Sequence, residues 1–223
     1  MMPTFDELIK KYKLEISGIL HIGGHYGQEM DEYERAGVKN IIFFEPVTKS
    51  FNILKEKIGN KGILVKTALG PTIGKIFMNI DSGNDGQSSS VLQPEEHLKQ
   101  YPGIKFTEKE EVDMTTLDNF FKERKDLDIH NYNMINIDVQ GYELEVLKGC
   151  KNTLNSVDYI KSEINKAEVY KGCAKVWEID ELLNKYEFER VETDFCGGSW
   201  GDALYVKRGK AKIPGFLSSL LRR

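Results

Sequence analysis

The sequence predicts an α/β fold, a mostly parallel sheet covered on both faces and carried by one domain. Short uninterrupted apolar runs recur near residues 18–22, 40–46, 63–68 and 134–139. Amphipathic stretches separate the first three, so strand, helix, strand, helix and strand follow within about 50 residues. A strand without polar alternation is buried on both faces, and in a parallel sheet the crossover helices supply both covers. Each such crossover is right-handed.

The elements follow in order. Phe5, Leu8, Ile9 and Tyr12 share a helical face, and Thr4 with Glu7 forms a capping box, which predicts a leading helix over 4–14. The strand 18–22 ends in Gly23-Gly24, and a helix from Tyr26 to Ala36 is closed by Gly37. The strand 40–46 precedes a helix over 48–58 that stops at Gly59, and a third strand covers Ile63 to Ala68. Lys75 to Ile80 alternates like a strand in a hairpin after Gly70-Pro71, and residues 81–93 form a polar loop. An extended stretch over 104–113 leads to Thr116, which caps a helix over 117–124. The parallel order resumes with the strand 134–139, a helix over 142–148, a strand over 157–163 and a helix from Ala174 to Tyr186. Phe188 to Thr193 and Ala203 to Lys207 read as a terminal hairpin that adds an antiparallel edge.

Composition bounds the class. The 223 residues suit one domain, residues 1–209, with no linker-like break. With 40% hydrophobic and 30% charged residues the chain reads as globular and soluble. No run approaches the roughly 18 apolar residues of a membrane span, and the start does not read as a secretory signal. A pI near 5.7 argues against gripping nucleic acid as the main task. Cys150, Cys173 and Cys196 are odd in number and lack C-x-x-C spacing, which argues against a disulfide framework or zinc site and for a reducing, cytoplasmic compartment. Residues 210–223 form a separate basic tail in which Ile213, Phe216, Leu217, Leu220 and Leu221 share one helical face. That tail either docks on a membrane surface or packs on its own domain or a twin subunit.

The chemistry gathers at strand ends. In open parallel sheets ligands sit beyond the carboxyl ends of the strands, at the switch point. The first strand ends in Gly23-Gly24-His25-Tyr26-Gly27, and the second in Glu45, 18 residues after Gly27. An acid there is placed to accept from both ribose hydroxyls. The alternative is a tight turn, with Glu45 capping a helix. The pattern G-G-x-x-G, with His25 in the loop, suits a pyrophosphate poorly. S-adenosylmethionine (SAM) has no phosphate. The terminal hairpin also stands where a dinucleotide fold has a second half.

Read together, Ile19-Leu20-His21-Ile22-Gly23-Gly24-His25-Tyr26-Gly27, Phe44-Glu45-Pro46, Ala68-Leu69-Gly70, Thr115-Thr116-Leu117-Asp118 and Ile137-Asp138-Val139-Gln140-Gly141-Tyr142-Glu143 resemble the FkbM family of SAM-dependent methyltransferases. Leu147-Lys148-Gly149 and Ser162-Glu163-Ile164 fit as well, and the match covers residues 17–207. The resemblance implies a Rossmann-like class I methyltransferase fold with a seven-stranded sheet, and methyl transfer to a hydroxyl, often of a sugar or natural product. It implies that Gly23, Gly24 and Gly27 line the methionine part of SAM, with His21, His25 and Tyr26 in the same loop. Glu45, followed by Pro46, would hold the ribose. Thr67 and Ala68 would lie beside the adenine, Ser88, Ser89 and Ser90 near the site, and Asp138 facing the methyl group. His21 and His25 replace the family's usual Asp and Asn, and Gln140 its usual Glu.

A hydroxyl is a poor nucleophile until a base takes its proton or a metal polarises it. Asp138 is the first candidate base. Glu163, at the end of the next strand, is the second, as base or substrate clamp. The pair is also a candidate ligand set for one divalent cation. Structural alternatives are a helix cap for Asp138 and an ion pair for Glu163. Trp200 either stacks on a sugar ring or packs its turn. The expected activity is SAM-dependent O-methylation of a sugar hydroxyl in a glycan or polysaccharide. A small-metabolite acceptor and a non-catalytic SAM-binding module are the alternatives.

Overall fold

The structure, a computed structural model, describes residues 2–195 and 198–210 and, within them, all side chains but those of His97 and Lys99. The amphipathic tail expected after Gly209 lies outside the described residues, Lys210 aside. Helix α1 (Phe5–Tyr12) opens on the capping box, Thr4 Oγ1 accepting from the Glu7 amide and the Glu7 carboxylate from the Thr4 amide. Strand β1 (Gly18–Ile22), α2 (Met30–Arg35), β2 (Asn40–Phe44), α3 (Thr48–Ile58) and β3 (Ile63–Val65) follow. Helix α2 starts four residues later than its pattern suggests. His25 at φ 42° and Gly27 at φ 68° are left-handed, and a right-handed helix cannot run through them.

The expected third strand divides. Ile63–Val65 stays in the main sheet, while β4 (Ala68–Leu69) joins a second sheet with β5 (Gly74–Asp81) and β6 (Phe106–Thr115) in the order β4-β6-β5. Gly70-Pro71 therefore turns no hairpin: β5 pairs antiparallel with β6, and β4 pairs parallel with β6 on its other side. Helix α4 (Glu96–Gln100) lies within the β5–β6 connection.

Helix α5 (Leu117–Glu123) starts where Thr116 Oγ1 accepts from the Asn119 amide at 2.9 Å. Then come β7 (Met134–Ile137), α6 (Glu143–Lys148), α7 (Thr153–Ser156), β8 (Tyr159–Asn165), α8 (Val176–Asn184), β9 (Phe188–Asp194) and β10 (Trp200–Lys207). The seven-stranded sheet has the order β3-β2-β1-β7-β8-β10-β9. Only β10 runs antiparallel, inserted between β8 and β9. Strand β8 ends two residues beyond Glu163, so Glu163 sits inside the strand rather than at its tip.

Both faces of the sheet are buried. Leu20, Ile22, Ile42, Phe44, Ile135 and Ile137 pack on one side with residues of α5, α6 and α8. Ile19, Ile41, Phe43 and Met134 pack on the other with Leu8, Tyr12, Met30, Leu54 and Ile58. Each such side chain stabilises by about 2 kcal/mol on burial, enough for this double core to hold helices too short to stand alone. The strand order reverses at β1, which opens a crevice beyond Ile22 and Ile137. Among the described residues no helix is long and apolar enough to cross a membrane.

Candidate active site

Two cavities meet beyond the carboxyl ends of β1, β2 and β7. The first is lined by Glu45, Thr67, Ala68, Met78 and Ser89 among others. The second is a broader cleft lined by Glu29, Ser88, Tyr101, Glu163 and Trp200 among others. Gly23, His25, Gln87, Asp138 and Gln140 border both.

The turn after β1 is built by backbone bonds. The Gly23 and Gly24 amides both donate to the Phe44 carbonyl at 3.0 Å. Gly23 has φ +87°, and a Cβ on it would lie 1.9 Å from the Asp138 carbonyl oxygen. The His25 amide donates to Glu45 Oε2 at 2.8 Å. The His25 ring stacks on Tyr26 at 3.8 Å. Its Nε2 donates to the Asp85 carbonyl at 3.0 Å, because that oxygen only accepts, and Nδ1 then accepts from Gln28 Nε2 at 2.8 Å. Tyr26 Oη donates to the same carbonyl at 2.7 Å. The loop after β1 is thereby tied to the polar loop after β5.

Of the residues expected at the cofactor, Gly23, His25, Glu45, Pro46, Thr67, Ala68, Ser89 and Asp138 line the first cavity. His21, Gly24, Tyr26 and Gly27 line neither. Strand alternation turns His21 to the α2 side, where it is 2% exposed and stacks on Phe43 at 5.0 Å. Tyr33 Oη donates to its Nδ1 at 2.9 Å and itself accepts from Asn136 Nδ2 at 2.7 Å. Burial holds the His21 pKa below the usual histidine range, so the ring supports the turn as a neutral core residue. Gly24 and Gly27 serve packing: a Cβ would come within 3.1 and 2.8 Å of the Leu54 side chain on α3.

Glu45 is 6% exposed, with Oε2 on the His25 amide and Oε1 on the Val47 amide, both at 2.8 Å. Burial pushes its pKa up to about 7, against the pull of the two amides. Each oxygen keeps a second lone pair for a ligand hydroxyl. Asp81, which the sequence did not single out, accepts the Gly83, Asn84 and Ser88 amides at 2.7, 3.0 and 3.2 Å and so shapes the serine loop. Its signal was present in Asp81-Ser82-Gly83-Asn84, a turn-forming string.

At the seam of the cavities Gln140 Nε2 donates to Asp138 Oδ1 at 2.6 Å and to Glu163 Oε2 at 2.9 Å. Asp138 does not cap α6, whose N-cap residue is Tyr142 and which has no side-chain cap hydrogen bond. Glu143, also not singled out by the sequence, accepts the Val139 and Gly141 amides at 3.1 and 3.0 Å and holds the turn that presents Asp138. Burial, with the Asp138 charge adding to it, pushes the Glu143 pKa up to about 7. Burial first, then the charges of Asp138 and Glu143, lifts Glu163 well above the usual carboxylate range. Among the described residues no group of three or more His, Cys, Asp or Glu stands ready to hold a metal ion. Between Asp138 and Glu163 the site offers a hydrogen-bond donor where a cation would need a ligand. Trp200 packs beside Val169, Tyr170 and Cys173 and still lines the cleft.

The lining of the first cavity suits an adenosine group without phosphates: Ile22, Phe44, Leu69 and Met78 give it apolar walls, Glu45 presents a carboxylate, and among the described residues no Lys or Arg lines it. The description "Methyltransferase FkbM domain" matches residues 21–190. The chain is 29% identical over 195 residues to the 2-O-methyltransferase NoeI of Sinorhizobium fredii (strain NBRC 101917 / NGR234), covering 83% of this chain and 77% of that protein. Among solved structures it resembles Streptococcus pneumoniae Sp1610 in complex with S-adenosyl-L-methionine, with a TM-score of 0.51 and 14% identity over 96% of this chain and 77% of that one. A SAM-dependent methyltransferase from Clostridium acetobutylicum ATCC 824 gives a TM-score of 0.50 at 11% identity over 92% and 89%. At such identities the likeness shows the fold, a class I methyltransferase fold. Since the family match spans most of the sequence and the fold agrees with it, the chain belongs to the FkbM methyltransferases and uses SAM as its methyl donor.

Proposed function

We propose that this SAM-dependent O-methyltransferase methylates a sugar hydroxyl in a glycan or polysaccharide. The observation that carries the reading is the shared wall. A pocket suited to adenosine and a polar cleft meet at one carboxylate, Asp138. The relative NoeI, a 2-O-methyltransferase, supports transfer to oxygen. Tyr101 and Trp200 offer aromatic faces to a pyranose ring, and Asn84, Gln87 and Gln28 offer amides to its hydroxyls.

In this reading SAM supplies an electrophilic methyl group when bound. Gly23 would let the backbone come close to it, and Glu45 would accept from the ribose hydroxyls. Asp138 accepts the proton of the acceptor hydroxyl as the oxygen gains its new bond. Glu163, whose pKa burial and its acidic neighbours lift well above the usual carboxylate range, would clamp the acceptor instead of acting as the base. Fixing the acceptor oxygen in line supplies much of the rate.

The test is a methyl-transfer assay with isotopically labelled SAM and a panel of neutral oligosaccharides, with linkage analysis of the product. A methyl ether on a sugar oxygen is the expected result. Transfer to small aromatic or polyketide hydroxyls with none to sugars would overturn the acceptor class.

A further inference from the structure

We propose that Gln140 is a positioning residue that holds Asp138 and Glu163 as one unit and couples them to the serine loop covering the cavities. The inference rests on the reading of Asp138 as proton acceptor.

The Gln140 amide nitrogen has two hydrogens and uses both, one toward Asp138 Oδ1 at 2.6 Å and one toward Glu163 Oε2 at 2.9 Å. Its oxygen accepts from Tyr170 Oη at 2.9 Å. A half-turn of the amide would set that oxygen against the Asp138 carboxylate, which only accepts, and this favours the orientation shown. The main chain is held as firmly. Gln140 has φ +55°, a left-handed conformation costly for a residue with a Cβ. Glu143 keeps it there by gathering the Val139 and Gly141 amides, and Ser90 Oγ donates to the Gln140 carbonyl at 2.7 Å. Tyr170 Oη also lies 3.1 Å from the Ser88 carbonyl. Gln140 therefore joins the acids to Ser90 through its carbonyl and to Tyr170 through its amide oxygen, while Gln87 and Ser89 of the same loop line the first cavity.

The charges around it explain why a neutral amide stands here. Glu143 faces the group from α6 and Glu163 from β8. Asp202 lies behind Glu163 on β10 and is paired with Lys161 at 3.4 Å. Glu29 and His25 line the cleft from the β1 side. A carboxylate at position 140 would add one more acid and donate to neither partner. A carboxamide donates to both.

The test compares wild type, Gln140→Glu and Tyr170→Phe. It uses the pH profile of kcat/KM, calorimetric titration with S-adenosylhomocysteine, and ¹³C NMR titration of the Glu163 carboxyl in the free protein. Gln140→Glu is isosteric, so the cavity shape is kept. The acidic limb of its profile is expected to move up by about one pH unit or more. The Glu163 midpoint should move the same way, with S-adenosylhomocysteine affinity within about threefold of wild type. Tyr170→Phe frees the amide and should lower kcat several-fold at unchanged KM. An unchanged limb and midpoint in Gln140→Glu would overturn the proposal. A collapse of S-adenosylhomocysteine binding would also overturn it, by making Gln140 a cofactor contact. If wild type methylates no sugar, the acceptor reading fails, and the Glu163 titration still decides the role of Gln140.

Discussion

Glu45→Gln tests the cofactor site most directly, because the structure sets both the size and the pH dependence of its effect. Both Glu45 oxygens are fixed by amide donors at 2.8 Å, so a ribose bound as proposed would meet a preorganised carboxylate. A hydrogen bond to a charged group contributes about 1.5–3 kcal/mol. The carboxamide retains part of this, so a loss of about 3 kcal/mol, roughly 100-fold in Kd, is expected. The pH dependence is a second signature. With a free-protein pKa of about 7, Glu45 is largely protonated at pH 6. Ribose hydroxyls donate to the ionised form, so binding below pH 7 must expel a proton. Affinity should then fall by up to about tenfold per pH unit between pH 7 and 5.5, and level off above pH 8. Calorimetry with 5′-methylthioadenosine, which lacks the titratable amino-acid end of SAM, isolates this group. Buffers of different ionisation enthalpy should report release of nearly one proton at pH 6. A wild-type Kd that is flat from pH 5.5 to 8, or an unweakened Glu45→Gln, would refute the ribose assignment.

Other outcomes follow from the same geometry. Asp138→Asn should lower kcat by about 10²–10⁴ while S-adenosylhomocysteine still binds, and a variant with full turnover would remove Asp138 as the base. Gly23→Ala forces a Cβ to 1.9 Å from the Asp138 carbonyl at φ +87°, so a loss of about 3 kcal/mol or more is expected as a drop near 10 °C in Tm. The ligand-free protein should melt higher at pH 6 than at pH 8. The folded pKa values of Glu45 and Glu143, about 7 each, lie above the ordinary 4.5, so stability is full below pH 4.5 and is lost as pH rises through 7. Each group contributes about 3 kcal/mol across that window, and Glu45→Gln should flatten the trend.

The strands were legible because parallel strands buried on both faces are written as unbroken apolar runs. Helices α1 and α3 were legible because Thr4, Glu7 and Gly59 mark their ends. The late start of α2 was hidden, since it depends on a left-handed histidine held by contacts that include the distant Glu45 and Asp85. The split after Val65 was hidden for a different reason: Ala68 pairs with Met114, 46 residues on, and nothing local announces it. An unbroken apolar run also conceals which face each residue takes. His21 therefore read as a loop ligand and turned out to be a core ring beneath the loop. Glu45 and Asp138 line the cavities where the sequence put them, because strand tips at a switch point are fixed by topology. The hydrogen bonds of Gln140 were not legible, because its partners Ser90, Glu163 and Tyr170 come from three distant segments.

The seam between the cavities shows why the acids lie where they do. The Asp138 amide donates to the Ile22 carbonyl at 3.0 Å, extending the β1–β7 ladder one residue beyond the strands. Gly23 lies against the Asp138 carbonyl, an approach that no larger residue permits. Main-chain contacts on both sides thus aim the one exposed acid of the group at both cavities. The supporting acids Glu45, Glu143 and Glu163 are buried, and each is at most 6% exposed. Burying them destabilises the ligand-free fold at neutral pH and above, and the double-sided core offsets that loss. A ligand that hydrogen-bonds to Glu45 recovers part of it. Cofactor binding should therefore stabilise the protein more at pH 8 than at pH 6, the reverse of the ligand-free trend, and Glu45 is the residue through which the two are coupled.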